Sequence, residues 1–194
     1  MCFSICRYAY TQQAAGGGRI DFGVFYAAGK MAAGYEDMSA VSMYTRKYIL
    51  QVIQTFNPHP QAVVFLYPPP AAVMFIPLSL LAFPVGAYLW GVINLLCVVA
   101  ALAIAIRVLI DDRVTRLRYS LFLCILAFSD TIRSLVFYGQ INGILFLLLV
   151  GGFALLQRQK QILAGVVLAT ATVIKVFPAL CVIHLFMQKQ WKAL

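Results

Sequence analysis

The sequence predicts an all-α protein, a polytopic bundle of transmembrane helices preceded by short amphipathic helices at the bilayer interface. Hydrophobic residues make up 63% of the 194 residues and charged residues only 11%, whereas a soluble domain has about 45–50% and about 25%. The apolar runs at 85–110, 119–138 and 141–157 approach or exceed the roughly 20 residues that cross a bilayer. The net charge of +9 comes from basic clusters between such runs, as in the cytoplasmic loops of membrane proteins.

Two regions are expected. Residues 1–60 are predicted to form an extracytoplasmic loop with amphipathic juxtamembrane helices, and residues 61–194 to form a partial transmembrane bundle. A first helix is predicted from Asp21 to Gly34 and a second from Val41 to Phe56. One face of the first helix is formed by residues at helical spacing, namely Phe22, Phe25, Tyr26 and Gly29. Aromatic residues on that face favour a position at the bilayer interface.

Prolines interrupt the next apolar stretch. A helix is predicted to begin at Pro68-Pro69-Pro70 and to run to residue 84, because proline suits the first turn of a helix and not its interior. It would be too short for a full span. Residues 85–110 form the clearest transmembrane helix, with Tyr88 and Trp90 predicted as interface anchors.

The basic clusters set the predicted topology. They are Arg113, Arg116 and Arg118, then Arg158 and Lys160, then Lys189 and Lys192. All three should be cytoplasmic. Because the run 162–187 links two of them, it is predicted to break near Lys175–Pro178 into two short segments forming a hairpin. The loops at 139–142 and 175–178 would then face the opposite side of the membrane.

Other classes of protein fit this pattern poorly. The basic clusters lie between apolar runs and not on a folded polar face, so a nucleic-acid partner is not expected. Three of the five cysteines lie inside apolar runs and no zinc-ligand spacing is present. We therefore expect the lipid bilayer as a partner and neither a metal nor a cofactor.

A few polar residues are candidates for chemistry. Asp21 heads the first predicted helix, where it is either a general base or an ordinary acid favoured by the helix dipole. Gln140 and Asn142 flank a turn, where they either bind phosphate or sugar hydroxyls or only satisfy the turn. Lys175 lies inside an apolar run, where it either faces an anion or reaches the interface along its aliphatic stem.

A further charged pair lies in the run 119–138. Asp130 and Arg133 are three residues apart on one predicted helix and so are expected to pair with each other. Arg133 alternatively contributes to an anion site.

Taken in order, several short motifs resemble the bacterial glycosyltransferase family 87. The matching residues are Asp21-Phe22, Phe25-Tyr26-Ala27-Ala28-Gly29, Gly34, Tyr67-Pro68-Pro69, Ala72, Pro77-Leu78-Ser79-Leu80-Leu81, Ala87-Tyr88, Trp90, Asn94-Leu95, Gly139-Gln140, Asn142, Ala164-Gly165, Ile174-Lys175, Pro178 and Gln190-Trp191-Lys192. Such enzymes are GT-C type membrane proteins that take a sugar, typically mannose, from a polyprenyl phosphate.

The resemblance implies a role for each candidate residue. Asp21 would be the catalytic base, and Gln140, Asn142 and Lys175 would line the donor phosphate and sugar site. We also expect substrate contacts from Tyr26, Tyr67 and Arg133. The implied reaction is inverting transfer of a hexose from a polyprenyl-phosphate sugar, which serves as donor substrate, to a lipid or glycan acceptor.

The resemblance also implies a bacterial plasma-membrane location with an extracytoplasmic active site. Family members carry a helix before the position of Asp21 and run to about twice this length, so we expect the sequence to be a fragment. Two other functions stay open. One is a transporter or flippase of a lipid-linked or small polar substrate, which the broken helices would suit. The other is a non-catalytic membrane subunit, in which the charges are structural.

Overall fold

A computed structural model describes residues 20–34, 40–56, 64–109, 135, 137–187 and 191–193. All regular structure in these ranges is helical. The α-helices are α1 (Ile20–Ala32), α2 (Arg46–Gln54), α3 (Pro69–Met74), α4 (Ile76–Ser79), α5 (Phe83–Leu109), α6 (Asn142–Gln157), α7 (Gln161–Ile174) and α8 (Leu180–Met187). Short 3-10 helices lie at Ala40–Tyr44, Phe177–Ala179 and Trp191–Ala193.

Packing divides the chain into two compact units. The first unit comprises Met1–Gly91 and Val136–Gln140, and the second comprises Val92–Leu135 and Ile141–Leu194. The division at residue 60 predicted from the sequence concerns position relative to the membrane and stays a prediction. Most of the predicted helix 119–138, with Asp130 and Arg133, lies outside the described residues.

Helix α1 confirms the predicted first helix but not its amphipathic character. All residues from Phe22 to Gly29 are buried, as is Met31. Helices α2, α3 and α4 all pack against it. Burial of residues on every side of α1 means that the predicted single apolar face is wrong. The position of α1 at the bilayer interface stays a prediction.

Helix α2 has the amphipathic pattern that α1 lacks. Ile49, Val52 and Ile53 are buried, whereas Arg46 and Lys47 are exposed. The single helix predicted over residues 41–56 is divided, because the extended backbone of Thr45 (φ −94°, ψ 118°) separates α2 from the preceding 3-10 helix.

The proline-rich segment forms two short helices and not the single one predicted. Helix α3 begins at the prolines, as expected. It ends at Met74, and Pro77 lies in the first turn of α4. Proline lacks the N–H that an uninterrupted helix would need here, and its ring would clash with the carbonyl four residues earlier. The chain then turns at Leu80 and Leu81 before α5 begins.

Helix α5 confirms the long apolar helix predicted over residues 85–110, and its crossing of a membrane stays a prediction. The segment Phe83–Val108 is strongly apolar, and most of its most apolar part is exposed within the structure. Among the described residues it is the one helix both long and apolar enough to cross a membrane. Tyr88 is 69% exposed, which suits an interface anchor. Trp90 is buried and its Nε1 donates to the carbonyl of Gly139 at 2.8 Å, so its predicted anchoring role is wrong.

An aromatic core fills the first unit. The rings of Phe25 and Phe75 stack with centroids 4.5 Å apart, and Trp90 meets Phe75 edge-on at 4.6 Å. Helix α1 approaches this core closely at Gly29, where a Cβ atom would lie 2.8 Å from the backbone of Phe75. Only glycine permits that separation, so Gly29 fixes the packing of α1 on the α3–α4 junction.

Helices α6 and α7 form a tight hairpin in the second unit. Leu168 of α7 packs so closely on Gly152 of α6 that a Cβ there would lie 2.6 Å from its side chain. In the connecting turn, Lys160 N–H donates to Leu155 O and Gln159 N–H to Leu156 O, both at 2.9 Å. This is the Schellman pattern of helix termination, with Gln159 in the left-handed region at φ 59°.

The predicted break near Lys175 is confirmed. Helix α7 ends at Ile174, Lys175 is extended (φ −148°, ψ 132°), and a 3-10 turn containing Pro178 leads into α8. Leu168 and Leu185 belong to one buried cluster, so α8 folds back along α7. The placement of this hairpin in the membrane stays a prediction.

Candidate functional site

Asp21 lies in the first turn of α1 and is half-buried. It is the only acidic residue in the part of the chain that the structure describes. Its carboxylate is engaged in at least one polar or electrostatic interaction, and the helix N-terminus favours its charged form. The position is suitable for a base that must be ionised and still reachable.

Tyr67 lies beside this turn of α1. Its ring centroid is 4.7 Å from that of Phe25, which is one helical turn beyond Asp21 on the same face. Side chains on a helix lean toward its N-terminus, so the Phe25 ring covers the turn that carries Asp21. The Tyr44 hydroxyl donates to the carbonyl of Tyr67 at 2.9 Å. Tyr67 is therefore held by both its ring and its backbone, within electrostatic range of Asp21.

The environment of Tyr67 keeps its hydroxyl neutral. Burial raises the pKa of the Tyr67 phenol, and the negative charge of Asp21 raises it further. Both effects penalise the phenolate, the first by desolvation and the second by like-charge repulsion. The Tyr67 hydroxyl is thus a hydrogen-bond donor throughout the neutral pH range.

Tyr26 has the surroundings of a core residue. It is 3% exposed, its hydroxyl donates to the carbonyl of Leu81 at 2.8 Å, and its ring meets Phe56 edge-on at 4.8 Å. Its substrate-binding role stays a prediction, but each of these contacts is a packing contact within the first unit.

Gln140 follows a turn that is fixed by glycine. Gly139 has φ +71°, and a Cβ atom there would lie 2.6 Å from Cβ of Phe22. Left-handed backbone and close approach each require glycine. Gln140 is half-buried and has a polar partner, so the turn holds it in a defined place.

Asn142 and Lys175 are brought together in the second unit. The Lys175 ammonium donates to Oδ1 of Asn142 at 3.3 Å, although 33 residues separate them. Asn142 is the first residue of α6, and Lys175 directly follows Ile174, the last residue of α7. The hairpin therefore places the helix break beside the N-terminus of the preceding helix.

The electrostatics of this pair favour an anion. The N-terminus of a helix carries a partial positive charge, and Lys175 adds a full one. Among the described residues of the second unit there is no carboxylate to neutralise it. Backbone N–H groups at a helix N-terminus together with an ammonium are a recurrent way of binding phosphate.

Asn94 is a polar residue to which sequence reasoning assigned no role. It is fully buried in the middle of α5, and a Cβ atom at Gly143 would lie 2.5 Å from its Oδ1. The first turn of α6 thus packs directly on Asn94. A polar residue inside an otherwise apolar run was the available signal.

The predicted substrate contact of Arg133 and the expected lack of a metal site stay predictions. Arg133, the remaining predicted substrate contact, lies outside the described residues. In the described ranges no group of three or more His, Cys, Asp or Glu side chains is placed to hold a metal ion.

Comparison with known proteins identifies similar sequences. A model of glycosyltransferase family 87 matches residues 65–194. The chain is 31% identical over 122 residues to a protein of Mycobacterium tuberculosis (strain CDC 1551 / Oshkosh). That protein is described as a polyprenol-phosphate-mannose-dependent alpha-(1-2)-phosphatidylinositol pentamannoside mannosyltransferase. The match covers 62% of this chain and 28% of that protein. A protein of the same description from Mycolicibacterium smegmatis (strain ATCC 700084 / mc(2)155) is 30% identical over 132 residues, 66% of this chain and 30% of that protein.

The matched segments therefore cover less than a third of the length of these curated relatives. No solved structure matches it.

Proposed function

Because the chain belongs to glycosyltransferase family 87, we propose that it acts in a membrane glycosyltransferase that moves a hexose, mannose, from a polyprenyl-phosphate donor to a lipid or glycan acceptor. The names of both mycobacterial relatives support polyprenyl-phosphate mannose as the donor and a phosphatidylinositol-based glycolipid as the acceptor. The long apolar helix α5 supports a place in the membrane.

The single observation that carries the proposal is the Asn142–Lys175 pair. In sugar transfer from a lipid phosphate, the bond from the anomeric carbon to the phosphate oxygen breaks and negative charge grows on the departing phosphate. A preplaced cation stabilises such charge more strongly in the transition state than in the ground state. Lys175, with the N-terminus of α6 beside it, is suited to this task.

Asp21 is the proposed general base. A carboxylate that takes the proton from the acceptor hydroxyl makes its oxygen a better nucleophile toward the anomeric carbon. The neutral hydroxyl of Tyr67 is proposed to donate a hydrogen bond to a substrate oxygen, and the electrostatic effect of Asp21 on Tyr67 supports a common site for the two.

The orientation proposed for the second unit follows from charge. Asn142 and Lys175 lie at one end of the α6–α7 hairpin, and Arg158 and Lys160 lie in the turn at the other. Helix α6 has 16 residues, so the two ends are about 24 Å apart at 1.5 Å per residue. If the basic turn is cytoplasmic, the phosphate-binding end is extracytoplasmic.

The test is transfer of radiolabelled mannose from polyprenyl-phosphate mannose, in membranes that contain the protein, with Asp21→Asn and Lys175→Met compared at equal protein level. Loss of transfer in both variants with unchanged expression supports both assignments. Transfer that survives Asp21→Asn removes this residue as the base. Failure of every form, including the unchanged protein, contradicts mannose as the transferred sugar.

A transporter of a lipid-linked substrate is the second candidate, because the break between α7 and α8 at Lys175 is typical of transporter binding sites. Flipping of a fluorescent polyprenyl-phosphate sugar in proteoliposomes, without transfer to an acceptor, would favour it. A non-catalytic subunit would show neither activity and would tolerate Asp21→Asn.

A further inference from the structure

A second feature of the second unit is a groove along α7, which extends from Ile162 to Thr172 and Pro178, close to Lys175. A cavity of about 320 Å³ opens between α7 and the segment that folds back on it. One wall is a stripe of α7 with helical spacing, formed by Ile162, Val166 and Ala169, and the other includes Leu185. Val166 is 59% exposed and Ile162 69%, so the groove is accessible from outside the unit.

One cation lines this groove, and two more lie in the turn that precedes α7. Lys192 lines the groove together with Ile162, which lies in the first turn of α7. Arg158 and Lys160 are exposed in the turn immediately before that helix. The described part of the second unit contains no acidic residue, so these three charges are not offset there.

An aromatic residue marks the same end. Trp191 precedes Lys192, is 59% exposed and meets Phe186 edge-on at 5.2 Å. Tryptophan next to basic residues is typical of the level at which lipid headgroups lie. The end of the groove with Trp191 and Lys192 therefore resembles a headgroup region, and the rest of its lining is mainly apolar.

We propose that this groove binds an anionic phospholipid, with one acyl chain along α7 and the headgroup phosphate at Arg158, Lys160 and Lys192. Basic pockets between membrane helices are suited to anionic headgroups, and the apolar lining is suited to a chain but not to a soluble ligand. The site is distinct from the proposed donor phosphate site. Lys175 lies at the opposite end of α7, which has 14 residues and is about 21 Å long.

The experiment is native mass spectrometry of the purified protein after release from nanodiscs. One set of nanodiscs contains phosphatidylcholine and phosphatidylglycerol, and the other contains phosphatidylcholine alone. We expect retained phosphatidylglycerol in the first case and no retained phosphatidylcholine in the second. The double variant Lys160→Gln/Lys192→Gln should reduce retention by about tenfold or more, since each cation contributes separately near a lipid surface. Lys160→Arg/Lys192→Arg should preserve it.

Matched variants separate the groove from general effects. Ala169→Phe fills the groove and should reduce retention, whereas Leu163→Phe adds the same ring at an exposed position of the same helix outside the lining and should not. Lys47→Gln removes an exposed charge in the first unit and should leave retention unchanged. Equal retention of both lipids, or equal loss in Lys47→Gln, would overturn the proposal. Displacement of the lipid by stoichiometric polyprenyl phosphate would also overturn it, because the groove would then belong to the donor.

Discussion

The ammonium of Lys175 donates to Oδ1 of Asn142 across 3.3 Å, joining the residue at which α7 breaks to the residue at which α6 begins. Each of these residues alone has an ordinary structural explanation. A lysine in an apolar run can reach the interface, and an asparagine at a helix start can satisfy a turn. Their contact is the observation on which the proposed anion site rests.

Replacing Lys175 by methionine should lower kcat for mannose transfer by about 10² to 10³, the usual cost of removing one group that stabilises developing negative charge. Lys175→Arg should retain part of the activity because it keeps the charge. The measurement is steady-state transfer at saturating donor. Lys47→Met, an exposed cation of α2, is the control; unchanged kcat in Lys175→Met would exclude Lys175 from the chemistry.

The pKa of Tyr67 should report on Asp21. Burial and the Asp21 charge both raise this pKa, so the phenol should titrate above its usual value of about 10. Asp21→Asn removes the repulsive charge but not the burial, and should therefore lower the pKa of Tyr67 without returning it to normal. Alkaline difference absorbance of tyrosinate measures this, with Tyr67→Phe in each background to isolate the signal. If the pKa of Tyr67 is the same in Asp21→Asn, the charge of Asp21 does not act on Tyr67.

Gly139→Ala should destabilise the protein by about 1–3 kcal/mol, because the new Cβ would meet Phe22 at 2.6 Å and the backbone is left-handed. The control is Gly151→Ala in α6, where a Cβ meets nothing within 4 Å and alanine is the better helix former. Reversible unfolding in mixed micelles measures both. Equal effects would mean that the Gly139 turn is not tightly packed in the membrane.

Gln159→Gly should stabilise the protein by about 1 kcal/mol, because glycine adopts the left-handed conformation of this residue without the penalty that a side chain incurs. Gln157→Gly, two residues earlier at the last residue of α6, should instead cost about 0.5 kcal/mol because glycine has the lower helix propensity. Opposite signs in the same unfolding assay are the expected result. Destabilisation by both would contradict the Schellman turn between α6 and α7.

Several elements could be predicted because the relevant force is local or compositional. The length of α5 follows from an unbroken apolar run, and the break after Ile174 follows from a lysine and a proline that an apolar helix cannot easily accommodate. The start of α3 at the prolines is of the same kind. The family resemblance, which the match over residues 65–194 confirms, rested on short motifs in order.

Other predictions failed because they depended on neighbours distant in sequence. The aromatic spacing of α1 suggested one apolar face, but packing by α2, α3 and α4 covers all its sides. Trp90 was expected at the interface because a tryptophan in an apolar run usually anchors there, yet its N–H finds the carbonyl of Gly139, 49 residues away. No local pattern specifies such a partner.

By itself the sequence determined that this is a helical, membrane-type chain with glycosyltransferase family 87 motifs, and it selected Asp21, Tyr67, Asn142 and Lys175 among few polar residues. Hydropathy, proline and charge act through local free energies and so can be read along the chain. Only the tertiary structure decided which of these residues interact: Tyr67 feels the charge of Asp21, and Lys175 donates a hydrogen bond to Asn142. That choice depends on close approach at glycines such as Gly29 and Gly152, where two distant segments must fit together.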